Sequence, residues 1–238
     1  MTIKLIEDAK EFSGPAAGSG DHEDVFRRLE EEIVLGLYLP LQRLVEEEIA
    51  ERMGAKRHVV RQALTELRRI GLVEHSRNKG AVVRLLKPDE VEKIYAVREI
   101  LETAAASLVP LPAPAELIGK LEAIQAQHDL AVANSDITQV YRRNIEFHQT
   151  LFAACGNQYL AEAVDQSARR SQGIRYFALI DGRRLEKLRR QHWEMIEAIR
   201  TSDRARLVEL HREHLLPSKE AYLESQALRK GLILNRDK

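Results

Sequence analysis

From Asp21 onward apolar residues recur at helical spacing, and the first run, Val25, Leu29, Ile33 and Leu37, predicts a helix that stops before Pro40. A second helix is expected from about Val45 to Met53, closed by Gly54, a residue free to take left-handed backbone at a helix end. A third runs from about Arg57 to Ile70 and stops at Gly71. Two short β-rich runs follow, 72–75 and 81–85, on either side of the polar stretch Ser76-Arg77-Asn78-Lys79-Gly80, which is the pattern of a hairpin. Past Lys87-Pro88 the helical period persists to about Leu228. It breaks near Pro110–Pro114, Asn134–Asp136, Gly156-Asn157, Asp181-Gly182 and Thr201–Asp203. Asp89, Ser135 and Ser202 or Asp203 are candidate N-caps.

Three helices and a hairpin make a winged helix-turn-helix, and long helices with short connections make an antiparallel bundle. The expected fold is therefore mainly α, with an N-terminal winged helix-turn-helix and a C-terminal all-α bundle of six to seven helices. The domains expected are a Gly/Ser-rich disordered arm over 1–20, the winged unit over 21–86, the helical domain over 87–228 and a tail over 229–238.

The apolar pattern is interrupted where it should be most regular. Asn144 and His148 sit on the stripe that includes Val140 and Leu151, His192 on Leu185, Leu188, Ile196 and Ile199, and His214 on Leu207 and Leu210. A polar group buried without a partner costs roughly 1–3 kcal/mol, so four on core faces suggest a shared partner. Imidazoles make a transition metal the leading candidate, with ordinary hydrogen-bonded core histidines as the alternative. Arg98 interrupts Val91, Ile94, Leu101 and Ala105 in the same way. It needs an anion, either Glu102 on its own helix or the carboxylate of a bound ligand.

Charge changes the picture only locally. Overall, 37 basic residues balance 37 acidic ones, which excludes a chain that binds nucleic acid along its whole length. Between Arg52 and Lys87, however, ten cations face two acids, whereas 21–51 hold three cations and ten acids. Lys56, Arg57 and Arg61 open the third helix, the part of a helix-turn-helix that meets base edges. An arginine there can bond guanine bidentately, worth roughly 1–3 kcal/mol of discrimination. Lys79 and Gly80 at the hairpin tip can approach the DNA backbone or minor groove. A single cysteine, Cys155, permits no internal disulfide, and no apolar run is long enough to span a membrane, so a cytoplasmic protein is expected.

The run from Leu44 to Leu64, with Gly71-Leu72-Val73 and Asn78-Lys79-Gly80-Ala81-Val82-Val83, resembles the N-terminal domain of the GntR regulators. That resemblance implies base-reading arginines at Arg57 and Arg61, beside Lys56 and His58, and wing contacts at His75, Lys79 and Gly80. Glu47 stands where the family often has an arginine, and Lys56, His58 and Val59 depart from its usual Ser/Thr-Arg-Thr-Pro pattern, so a different operator is implied. Val97–Glu102, Asn144–Leu151 with Gly156-Asn157, and His192 through Ala198-Ile199, Asp203 and His214 resemble the FCD effector domain of FadR-type members. This implies metal ligands at Asn144, His148, His192 and His214, where many members carry Asp in place of Asn144. Zinc and nickel suit such a set.

The function expected is a metabolite-responsive regulator, a repressor by the family's default, acting as a homodimer on a double-stranded DNA operator. A small organic acid held by the metal and Arg98 would be its effector. The alternatives are the same regulator without metal, and a metal-dependent helical-bundle hydrolase with a DNA-binding head. The hydrolase has no acid or base evidently placed for catalysis, Glu146 facing away from His148, so no enzyme is expected.

Overall fold

The computed structural model describes residues 20–236, with side chains described to Leu228. Two compact units meet in sequence between Leu85 and Leu86. The expected arm lies outside the described residues apart from Gly20, and so do the side chains of the expected tail.

The first unit contains α1 (His22–Val34), α2 (Glu46–Met53), α3 (Arg57–Arg69), β1 (Val73–Ser76) and β2 (Gly80–Val83). Asp21 caps α1, its Oδ1 accepting the Asp24 N–H at 3.0 Å. α1 ends earlier than the apolar spacing predicts, and Leu37 lies beyond it. Gly36, at φ 75°, turns the chain there; its N–H donates to Ile33 O and that of Leu37 to Glu32 O. The stop is thus a left-handed glycine closing two orphan carbonyls, and Pro40 plays no part in it. Gly54 ends α2 in the left-handed conformation expected of it, at φ 63°. Val25, Leu29 and Ile33 of α1 pack with Ile49 and Met53 of α2 and with Val60, Leu64 and Leu67 of α3.

The strands pair antiparallel, Val73 with Val83 and Ser76 with Gly80, around a turn carrying positive φ at Asn78 and Gly80. Arg43 forms a bridge with Val82, and the Leu44 N–H donates to Ala81 O. The hairpin is therefore joined along β2 by the segment before α2, which nothing in the apolar pattern signals.

The second unit is all helical among the described residues: α4 (Pro88–Leu108), α5 (Ala115–Ala133), α6 (Ile137–Ala153), α7 (Gln158–Arg170), α8 (Gln172–Leu179), α9 (Gly182–Arg200) and α10 (Arg204–Arg236). Every expected break occurs, and one more appears at Ser171, which divides α7 from α8. Asp136 rather than Ser135 caps α6. Asp203 rather than Ser202 accepts the Arg206 N–H at the start of α10. Both serines adopt positive φ. Asp89 lies in the first turn of α4, where Glu90 instead accepts the Lys87 N–H.

α10 packs on α4, α8 and α9, and α5 pairs with α6. Phe147 and Leu151 of α6, Met195 and Ile196 of α9, and Leu207 and Leu210 of α10 fill the centre. At the start of the unit the Tyr222 hydroxyl, on α10, accepts the Leu86 N–H at 3.1 Å and donates to Leu86 O at 3.0 Å. No helix among the described residues is long and apolar enough to cross a membrane.

Candidate functional site

In the first unit α3 buries Val60, Ala63, Leu64 and Leu67 and turns its polar face outward. Lys56 occupies the N-cap position, and Lys56, Arg57, His58 and Arg61 are all exposed. His75 on β1 and Lys79 in the hairpin turn are exposed as well, with Gly80 half-buried beside them. Arg57 and Arg61 are already engaged within the unit. Arg57 pairs with Glu47 at 2.8 Å, and Arg61 with Glu46 at 2.8 Å through Nη2, with Nε also donating. Arg52 does not belong to this face. It makes a double hydrogen bond to the buried carboxylate of Glu32 and another to the Tyr38 hydroxyl, tying α2 to α1.

In the second unit the histidines converge. His148 from α6, His192 from α9 and His214 from α10 bring their ligating nitrogens within 4.8 Å of one another. His148 Nε2 lies 3.3 Å from His192 Nε2 and 3.1 Å from His214 Nε2. The surroundings fix the proton on His192. Trp193 Nε1–H donates to Asp129 Oδ2 and Gln125 Nε2 donates to Asp129 Oδ1, so the Gln125 amide presents its oxygen to His192 Nδ1, 2.8 Å away. Nδ1 must carry the proton, leaving a lone pair on Nε2. His214 repeats the arrangement, with Nδ1 3.1 Å from Gln191 Oε1.

Burial holds all three rings well below the ordinary histidine pKa, and the neighbouring imidazoles push the same way. A neutral His148 has one proton to offer two inward lone pairs, and its buried Nδ1 has no partner either. Three neutral imidazoles aimed at one point suit a cation, so the residues present fit the metal that the resemblance implies.

Two cavities adjoin the cluster. A small one of about 30 Å³ is lined by Asn144, His148, His214, Arg98 and Arg175. A larger one of about 390 Å³ shares Arg98, His148 and Arg175 and continues past Gln149, Phe152 and Gln172. Asn144 thus sits where its spacing from His148 predicts. Arg98 is buried and its charge is met: Nε donates to Glu102 at 2.8 Å, Nη1 donates to Ser171 Oγ at 3.1 Å, and the guanidinium lies over the Tyr95 ring.

Several buried polar residues here escape the sequence reading. His211 is fully buried, with Nδ1 bonded to Leu207 O and Nε2 without a partner. Its signal was available, since it falls one turn after Leu207 on the stripe that holds His214. His128, Gln125 and Gln191 are equally buried. Arg175, half-buried on α8, was unread because the break at Ser171 was not foreseen.

The family model described as bacterial regulatory proteins, gntR family, matches residues 22–83, and the FCD domain matches residues 93–216. The chain belongs to the GntR family. An HTH-type regulator from the TAR-I ttuE-ttuC' intergenic region of Agrobacterium vitis is 30% identical over 159 residues, covering 65% of this chain and 92% of the relative. The HTH-type transcriptional repressor GlaR of Escherichia coli (strain K12) is 27% identical over 207 residues, 81% of this chain and 91% of GlaR. The fold recurs in E. coli McbR/YncC, with a TM-score of 0.75 at 17% identity over 86% of this chain and 98% of that one. A GntR regulator from Rhodococcus sp. RHA1 gives 0.72 at 22% identity, over 85% and 97%. This GntR-family chain is a transcriptional regulator with a winged DNA-binding head and an FCD domain, and not an enzyme.

Proposed function

We propose that this GntR-family regulator is a homodimeric repressor of the cytoplasm whose FCD domain holds a divalent metal, zinc or nickel, and through it a small organic acid. The observation that carries the reading is the convergence of three neutral imidazole nitrogens beside a cavity of about 390 Å³. His148, His192 and His214 would hold the ion, with Asn144 adding its carbonyl oxygen. The ion, when bound, would attract an effector carboxylate.

Arg57 and Arg61, released from Glu47 and Glu46, would read base edges, while Lys56, His58, His75, Lys79 and Gly80 meet the flanking groove and backbone. The two-fold operator is supported by the face of α4 that carries Val97, Ile100 and Leu108, all about half exposed or more on one stripe, as a second copy would require. Repression follows the name of GlaR. A hydrolase finds no support: Glu146, the nearest carboxylate in sequence to His148, is half-buried and engaged as an acceptor from Arg143.

The test is elemental analysis of purified protein with operator retardation in parallel. His148→Ala and His192→Ala should each lose bound metal while keeping operator binding. Arg57→Ala with Arg61→Ala should abolish sequence-specific retardation while keeping the metal. Wild-type protein that carries no metal after loading with zinc or nickel would end the metal reading.

A further inference from the structure

The outermost face of α3 is not the one that carries its two arginines. The helix buries Val60, Ala63, Leu64 and Leu67. At about 100° per residue, the positions farthest from that buried stripe are His58, Gln62, Thr65 and Arg69. All four are exposed. Arg57 and Arg61 fall on the flank beside α2, where Glu47 and Glu46 pair with them.

An open concavity of about 520 Å³ runs along this outermost face, lined by the same four residues with Arg61 and Glu66. Glu66 is engaged by His22 at 3.4 Å and by Arg69 at 3.5 Å. The Thr65 hydroxyl donates to Arg61 O at 2.8 Å. Its one proton is thus spent on the helix itself, and the methyl is the group left for a partner. The Gln62 amide makes no hydrogen bond to any described residue. A planar amide offers one donor and one acceptor side by side, which is the complement of N7 and N6–H of adenine in the major groove. A threonine methyl is the complement of the thymine methyl. Gln62 and Thr65 lie three residues apart, a rise of about 4.5 Å, and a base step is about 3.4 Å.

We infer that α3 reads an adenine and a thymine in each half-site, in addition to the bases read by its arginines. Gln62 Nε2 donates to adenine N7 and Oε1 accepts from N6–H, while the Thr65 methyl packs on the methyl of a thymine one base step away. Both side chains are neutral, so they add sequence preference without adding phosphate charge contacts. This rests on the reading of α3 as the base-contacting helix and extends it by two specificity-determining residues.

The test is selection of binding sites from a random duplex pool by full-length wild type, Gln62→Ala and Gln62→Glu, followed by anisotropy titration of the selected duplex. Wild type should enrich adenine at one fixed position of each half-site. Gln62→Ala should lose that preference alone, binding the selected site about fivefold to a hundredfold more weakly with an unchanged salt slope. Gln62→Glu should move the preference to cytosine, whose N4–H donates to a carboxylate. Deazaadenine lacking the N7 acceptor, placed at that position, should weaken wild type and leave Gln62→Ala as it was. Uracil in place of the neighbouring thymine should weaken wild type by about fourfold, the worth of one methyl, and Thr65→Ser should be indifferent to the exchange.

A wild-type motif without the adenine, a Gln62→Ala motif identical to wild type, or full wild-type affinity for the deazaadenine or uracil duplex would each overturn the inference. Loss of the motif at every position in Gln62→Ala would overturn it too, since a residue that merely holds the head together would act that way. In all of these cases the guanine preferences of Arg57 and Arg61 can still be read from the wild-type motif. Wild-type protein that enriches no sequence at all would instead be the failure of the broader reading, and of this inference with it.

Discussion

At the scale of single residues, the histidine cluster is set by amides. Gln125 and Gln191 fix the protons of His192 and His214 on Nδ1. They orient the rings without the added basicity that carboxylate partners would supply. With Asn144 also uncharged, a metal held there would have only neutral ligands. Asn144→Asp is therefore expected to tighten metal retention by about tenfold or more, read as resistance to a chelator.

His128 gives a separate prediction. Burial pushes its pKa down to about 4, against the partial pull of Asp129. Below about pH 6.5 the unfolded chain takes up a proton that the folded ring refuses, so stability falls as pH drops through that window towards 4. Between pH 7 and pH 5 this one group should account for about 2 kcal/mol of lost stability. His128→Gln should remove that part of the loss in denaturant titrations at the two pH values, and an unchanged pH dependence would refute it.

How much of the site was legible also turns on particular residues. His148, His192 and His214 betrayed themselves by standing among leucines on strongly periodic stripes. His128 and Gln125 sit on a helix whose apolar period is weak, so their burial could not be read from spacing. The ambiguity at Arg98 was real in sequence, and the structure shows Glu102 as its partner.

At the scale of elements, the winged unit was legible because each of its helices ends on a glycine that can take positive φ. Gly36 was overlooked only because Pro40 offered a more conspicuous stop. α8 was not legible: Ser171 is an ordinary helix residue, and at the break its hydroxyl donates to Ala168 O and accepts from Arg98, a partner distant in sequence.

The facing of α2 towards α3 has its own consequence. Glu46 and Glu47 neutralise the two arginines that open the recognition helix, and exposed pairs of this kind are weak because water screens them. They cannot lock the arginines, but they subtract two charges from the face offered to phosphate. Glu46→Ala with Glu47→Ala should raise affinity for random DNA and steepen its salt dependence by about one to two phosphate contacts. A salt slope equal to wild type would show that the acids leave the arginines free.

At the scale of the whole molecule, the two units meet in sequence between Leu85 and Leu86, and α10, which packs on α4, reaches Leu86. The helix that carries His214 also carries Tyr222, two turns further on, and Tyr222 holds both backbone groups of Leu86. Tyr222→Phe should keep zinc content and ligand affinity but blunt the change in operator affinity that ligand causes. A full response in that variant would mean that the signal travels by another route.

The phenol of Tyr222 makes Leu86 the anchored end of a short tether. Any axial slip or roll of α10 drags the peptide at which the helical half begins, the one next after the DNA-binding unit, and a leash of one amide has no slack to absorb it. Lengthening that tether with inserted glycines would let the head swing independently of whatever α10 is doing.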